Sequence, residues 1–583
     1  MGRGRRRSDE GWDRLPRFLG ILTLVGLRNR LRERNLHDTG LTPDKETLEA
    51  EEPSPRERAA RTIDGRFNDL GHPAMGSLGS RFGRNVALRY TRPEEEPDVL
   101  RPNPRMVSRE LLTRDRFIPA STLNLLAAAW LQFEVHDWFS HAKGDEENSW
   151  RVPLQDDDPW PRRPMQIPRT VRDPSGPSSS PPTYLTADSH WWDASQIYGS
   201  DETFASRLRT GDDGMLRLDD LGLIPEDLEK AIDLAGVAGN FWVGLALLHS
   251  LFMREHNAIC HMLRAGHPSW SDDDVYNHAR LVNAALMAKI HTVEWTPAII
   301  AHPTTRLAMR ANWWGLAGER VAKRWGRISS SDVLSGIPGS ETDHHGVPYS
   351  LTEEFVAVYR MHPLIPDDYE IRSASSDAVL GQRTFRELGV LDVRQQIAET
   401  GMTDFFYSFG RSHPGAITLH NYPRFLQELR RPDGSVVDLA AVDIMRSRER
   451  GVPRYNQFRR LFHMRPARRF DEVTDNPEWA RELARVYDDV EKIDLTVGLY
   501  AEPLPKGFGF SDSAFRVFIL MASRRLKSDR FFTVDYTPKV YSQEGLDWIN
   551  DNTLKTVLLR HFPSLAPALA GLENAFVPWA VSA

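Results

Sequence analysis

Cysteine is nearly missing from this chain: Cys260 is alone among 583 residues. No intrachain disulfide can form, and no cysteine-based zinc or iron–sulfur site is available. Neither charge sign dominates. There are 74 Lys and Arg against 81 Asp and Glu, a net charge of −7, so a nucleic-acid partner is not expected. Long apolar runs are also lacking. The run 18–27 is too short to span a bilayer, which takes about 20 apolar residues. It passes directly into Arg28, Arg30, Arg32 and Arg34 rather than into a small-residue cleavage site, so the expectation is a protein that is not secreted. Alternating strand patterns are scarce, and no repeat of solenoid period is present. With 40% hydrophobic and 27% charged residues, disorder is excluded as well.

What the chain does have is helical sequence, 16 Trp and 19 His. The segments STLNLLAAAWLQFEVHDWF, NFWVGLALLHSLFMREHNAICHMLR, YNHARLVNAALMAKIHTVEWTPAII and SDSAFRVFILMASRRLKSDRFF are long and have few internal Gly or Pro. Pro and Ser crowd 153–182, which reads as a surface excursion. A second break, 302–346, separates two apolar helices. Near the amino terminus a basic amphipathic helix can place Leu15, Phe18, Leu19, Leu22 and Val25 on one side. That side either packs on the protein body or rests on a membrane surface and feeds an apolar substrate inward. The expected organisation is an amino-terminal arm, 1–60, and one mainly α catalytic domain, 61–583.

Three clusters carry chemistry. In Gln132-Phe-Glu-Val-His136-Asp137, Gln132 and His136 stand at i and i+4 of a helix and face one way, with Asp137 turned elsewhere. An amide beside an imidazole suits a small polar ligand such as peroxide on a metal. In Tyr359-Arg-Met-His362-Pro363, the expected helix puts Tyr359 and His362 on one face. Such an imidazole can bind iron through one nitrogen while an acceptor holds the other N–H. In Ser189-His-Trp191-Trp-Asp193-Ala-Ser195, alternating oxygen-bearing residues can wrap a hard cation, with Asp137 adding a carboxylate. Taken singly, each cluster has an ordinary reading: a satisfied core histidine, a chance spacing, a turn that caps a helix.

Together they resemble the haem peroxidase–cyclooxygenase superfamily, and within it the fatty-acid alpha-dioxygenases, known as pathogen-inducible oxygenases of plants. FEVHDWFSH, WWDASQIYGS, AKIHTVEWTP, EEFVAVYRMHPLIPD, RERGVPRYNQFRR and MASRRLKSDRFFT carry the resemblance in order along most of the chain. It implies an animal-type haem peroxidase fold, haem b and Ca2+ as cofactors, and fatty acid, O2 and activating H2O2 as partners. His136 resembles the distal histidine, Gln132 the distal glutamine, His362 the proximal iron ligand and Tyr359 the radical tyrosine. Asp137, Ser189, Trp191 (through its carbonyl), Asp193 and Ser195 match the calcium loop.

His291, Thr296 and Arg524 match the residues that hold the substrate carboxylate, with Arg525 competing for the last place. Arg446 and Arg450 sit where arginines meet haem propionates, unless the register slips toward Arg454. Asp443 matches the residue that orients the proximal histidine. Val135 stands where the covalently linked peroxidases carry an aspartate ester, so the implied haem is noncovalent. The implied reaction uses a peroxide-generated tyrosyl radical to abstract the C2 hydrogen of a fatty acid. O2 then adds, giving a 2-hydroperoxy acid. The alternative is a plain peroxidase oxidising small reductants. A cytoplasmic monomer, peripheral to a membrane through the first helix, completes the expectation.

Overall fold

The computed structural model describes residues 11–581 apart from 143, 145–146, 177–180, 228–231, 236–240, 390–391 and 432–433. The arginine-rich start of the chain and part of the Pro/Ser segment lie outside the described residues. The rest is mostly helical, with short two-stranded hairpins as its only sheets among the described residues.

Helix α1 (Arg17–Arg34) begins directly after Pro16. Ile21, Leu24, Leu27 and Leu31 recur at helical spacing and are buried, whereas Leu15, just ahead of the helix, and Phe18, Leu19 and Leu22 are exposed. The side expected to carry the apolar contacts therefore faces solvent, and its neighbour faces the body.

Helix α2 (Leu125–Trp138) is apolar nearly all round and correspondingly buried along almost its whole length. It packs on α3 (Val243–Gly266), which packs on α4 (Asp272–Ile290). Ser271 opens α4 with a capping box: its hydroxyl accepts from Asp274 N at 3.1 Å, and the Asp274 carboxylate accepts from Ser271 N at 3.0 Å. At its far end α4 widens into a π turn, His291–Trp295, before a short helix Thr296–Ile299. Pro297 has no N–H for the α pattern. The Thr296 hydroxyl turns back onto the His291 carbonyl at 2.8 Å.

The segment 302–346 is not the break its Gly and Ser content suggests. It holds α5 (Pro303–Trp314) and the short helices Glu319–Trp325 and Asp332–Ser335. Thr305, Met309 and Trp313 repeat every four residues and are buried, which outweighs the weak formers around them. Nor is 153–182 wholly a surface excursion. Strands Ser149–Val152 and Met165–Pro168 pair antiparallel across it. Their Trp150, Val152, Met165 and Ile167, with Trp160, pack on Ala441 and Met445 of a later helix.

Three further helices complete the frame of the site: α6 (Glu353–Val358), α7 (Leu439–Glu449) and α8 (Asp512–Lys527). Helix α1 lies against α5 and α8, and α6 against α8. Among the described residues no helix is long and apolar enough to cross a membrane.

Candidate active site

Tyr359 and His362 do not share an α-helix. Helix α6 stops at Val358, Tyr359 is its C-cap, and His362 opens a separate 3-10 turn. Pro363 explains the break, since a residue before proline is pushed out of the α region. The His362 Nδ1–H donates to Asp443 Oδ2 at 2.7 Å, because a carboxylate can only accept. Arg360 pairs with the other oxygen of Asp443, and the Tyr422 hydroxyl donates to Oδ2 at 3.1 Å. Burial pushes the Asp443 carboxyl up, but His362 and Arg360 outweigh it and bring it down to about 2. With Nδ1 held, Nε2 of His362 is the nitrogen left for a ligand. The side chain keeps 31% exposure in an otherwise closed region, so an iron-bound group fits there.

Arg450 lies in the same field. Burial lowers its guanidinium to about 10, Glu353 opposes the shift, and Arg446 and Arg360 reinforce it. Its Nε donates to Thr170 Oγ1 at 3.1 Å, and Arg446 pairs with Glu449. Arg454 is committed elsewhere, to Glu94 at 2.6 Å and Asp494 at 2.8 Å. Those two carboxylates occupy Arg454 in this structure. Arg360 and Arg446 act on Arg450 as like charges, and such a group of cations suits an anionic, two-carboxylate cofactor. Arg360, hidden between Tyr359 and His362, was not singled out from sequence.

On α2, the Trp242 indole N–H donates to Gln132 Oε1 at 2.8 Å. Nε2 of His136 lies 3.3 Å from Nε2 of His249 on α3, a partner that sequence reasoning missed. Asp137 is turned about 100° from His136 on α2, fully buried, and accepts from Ser195 Oγ at 2.5 Å. Burial, then Asp188, then Asp193 push its carboxyl well up. Asp193 accepts from Ser195 N through Oδ1, at 3.2 Å. Its Oδ2 is buried without a hydrogen bond, 3.7 Å from Arg280. Ser189 Oγ accepts from Trp191 N at 3.0 Å, and the Trp191 carbonyl accepts from Arg525 at 3.4 Å. Among the described residues no three His, Cys, Asp or Glu side chains form a metal site by themselves. What the loop offers is crowded carboxylate charge, hydroxyls and an orphaned carboxylate oxygen, which together suit a hard cation. Asp188, one residue before the expected loop, belongs to this cluster.

A cavity of about 370 Å3 lies between these regions and α8. Tyr359, His291, Thr296 and Arg525 line it, with Trp138 and Trp192. Arg524 does not. Its guanidinium donates to the Val347 carbonyl at 2.6 Å and to those of Pro348 and His344, on another side of α8. Arg524, the expected anchor, thus lies outside this cavity, and Arg525, its competitor for that place, lines it. Consecutive helical residues point about 100° apart, and only one can face the cavity. Arg525 stacks 3.5 Å above Trp138 and 4.9 Å from Trp192, with Nη1 buried and lacking a partner.

His291 projects from the π turn. The Trp130 indole N–H, a donor only, reaches its Nδ1 at 3.2 Å. That contact makes Nδ1 the acceptor and puts the ring proton on Nε2. Burial, and then Arg525, lower the imidazole to about 3, so it is neutral. The Tyr359 hydroxyl has no hydrogen-bond partner among the described residues. Burial raises its pKa, with Arg525 acting against the rise.

The animal haem peroxidase family pattern matches residues 60–570. Alpha-dioxygenase 1 of Capsicum annuum is 38% identical, over 97% of this chain and 89% of that protein. The fold superimposes on the crystal structure of fatty acid alpha-dioxygenase from Arabidopsis thaliana with a TM-score of 0.91 and 36% identity, covering 97% of this chain and 90% of that one. It matches an Oryza sativa fatty acid alpha-dioxygenase solved with palmitic acid equally well, with a TM-score of 0.91 and 34% identity over 98% of this chain and 95% of that one.

Proposed function

The chain belongs to the animal haem peroxidase family, among its alpha-dioxygenases, and from that premise we propose that it converts fatty acids and O2 into 2-hydroperoxy acids. One observation carries the reading: a guanidinium, an imidazole N–H and a buried phenol open onto the same apolar cavity. Arg525 and His291 hold the carboxylate by charge-assisted and neutral hydrogen bonds. Thr296 joins them if its hydroxyl leaves the His291 carbonyl. With the head group fixed, C2 rather than a mid-chain carbon lies beside Tyr359.

Haem b, bound without a covalent link, supplies the H2O2-driven oxidising equivalent. His362 would hold its iron and Arg360, Arg446 and Arg450 its propionates, while His136 would move protons and Gln132 would hold a small polar ligand beside it. Once Tyr359 is a radical, its oxygen takes one hydrogen atom from C2, re-forming the phenol and leaving a carbon radical. O2 adds to that carbon. The peroxyl radical takes a hydrogen atom back from Tyr359, so the product is the hydroperoxide and the radical is restored. Anchoring by Arg525 costs little specificity along the tail, since each buried methylene is worth about 0.8 kcal/mol.

Ca2+ would be held by Asp137, Asp193, Ser189, Ser195 and the Trp191 carbonyl, tying the loop to α2 and fixing His136. The protein would act as a cytoplasmic monomer, touching membranes peripherally through the exposed apolar side of α1.

The test is oxygen uptake by haem-loaded protein given saturated fatty acids and a trace of peroxide, with the product identified. The wild type should consume O2 and form the 2-hydroperoxide. Tyr359→Phe should keep its Soret band and its reaction with peroxide but lose oxygenation, and His362→Ala should lose or badly perturb the Soret band. Oxidation of small reductants with no acid-dependent oxygen uptake would make the protein a plain peroxidase instead.

A further inference from the structure

Beyond the inner cavity, α1, α5, α8 and residues from 316–337 line a second one of about 690 Å3 that opens to solvent. The two share Met309, Asn312, Phe518, Ala522 and Ser523 as lining, so they adjoin along that wall as an inner and an outer room. The outer room is walled largely by aliphatic and aromatic side chains, but two charged residues, Arg28 and Asp332, also line it. Asp332 has a partner, Lys527 Nζ at 3.8 Å. Arg28 makes no hydrogen bond or close ion pair among the described residues and its Nε is buried, so burial lowers its guanidinium while the Asp332 charge favours it only from a distance.

More positive charge lies inward. One turn along α1, Arg32 donates to Ser523 Oγ at 2.8 Å, and Ser523 borders the inner room. Burial lowers the Arg32 guanidinium well below its ordinary value, and Arg28 and Arg524 add to the effect as like charges close by. Asp332 and Asp343 answer this cluster only in part. A guanidinium only partly compensated in an apolar passage gains from an anion that reaches it.

Building on the fatty-acid reading above, we propose that Arg28 is a transit site for the substrate carboxylate. The acid enters the tunnel head first, pairs with Arg28 in the outer room and passes along the Ser523 wall to Arg525. A guanidinium matches a carboxylate with paired N–H donors. Cations in a passage walled by apolar side chains concentrate anions and speed their arrival. Without such a station the head group would cross the outer room with its charge stripped of water. The order of the rooms requires the same direction of travel, because the carboxylate comes to rest in the inner room and the tail trails into the outer one.

The experiment compares wild type, Arg28→Met and Arg28→Lys as haem-loaded, full-length protein. Oxygen uptake with palmitate is measured from low to high salt. The wild-type kcat/KM should fall as salt rises. Arg28→Met should be about tenfold lower at low salt, the lower end for losing a charge-assisted bond, and nearly indifferent to salt. Arg28→Lys should stay near wild type. Arg28→Gln should behave like the Met variant and replaces it if the latter does not fold. A Met or Gln variant with the wild-type kcat/KM and salt slope overturns the transit site and leaves the fatty-acid reading intact. Mid-chain oxygenation of an unsaturated acid by the wild type would make Arg28 the resting anchor and overturn the transit role. No acid-dependent oxygen uptake by the wild type would overturn both readings.

Discussion

Arg524 and Arg525 are neighbours in sequence with separate jobs in the fold. Arg524 ties α8 to the carbonyls of His344, Val347 and Pro348, whereas Arg525 stands in the cavity between two indoles. Arg525→Leu should therefore raise the KM for fatty acids about ten- to 150-fold, the range for a lost bond to a charged group. Arg524→Leu should lower the thermal midpoint and leave KM nearly alone. Methyl esters should be poor substrates for wild type and no worse for Arg525→Leu. Steady-state kinetics on acid and ester decide the matter: an unchanged acid preference in Arg525→Leu would remove it as the anchor. Sequence alone left this pair open because helical period places two adjacent residues on different faces without saying which face is the cavity. Arg360 and His249 were missed for a related reason. Each acts through a partner, Asp443 or His136, that is remote in sequence.

At the scale of elements, the long helices and the ordered clusters were legible because apolar period and motif order survive without coordinates. The ends of elements were not. Pro363 broke the expected Tyr359/His362 helix, and the π turn at His291 left no distinct mark in the sequence. The calcium loop and α1 each make a prediction. If a cation holds 189–195 against α2, chelation should lower the thermal midpoint of wild type by several degrees and leave Asp193→Ala, already lowered, unmoved. Wild type indifferent to chelator and lacking bound calcium would dispose of the site. Helix α1 turns Phe18, Leu19 and Leu22 outward, and among the described residues their side chains are exposed. Phe18→Glu with Leu22→Glu should reduce co-sedimentation with anionic vesicles about tenfold, while thermal stability stays put. Equal sedimentation of both proteins would leave α1 without a membrane role.

For the whole molecule, buried neutral histidines set the response to acid. Burial, and then Arg525, lower His291 to about 3. Burial lowers His256 to about 4, against a hydrogen bond to the Gly214 carbonyl. In the unfolded chain each would titrate near 6.5. Between these values the unfolded state holds more protons, so stability rises with pH through that window and is lost as pH falls below 6.5. At pH 5 the loss is about 2 kcal/mol for each histidine. The urea midpoint should drop from pH 7 to pH 5, and His256→Gln should show a shallower drop. A midpoint that does not move over this range would contradict the assignment.

Ala522 borders both rooms. Its methyl group is the smallest side chain on the wall the two share, so this is where added bulk can narrow the way between them. A larger side chain there turns a corridor into a closed cupboard, which accepts short guests and refuses long ones. Gradual preference along the tail would become a sharp cut-off in carbon number, and the product mixture from a blend of acids would reveal it directly.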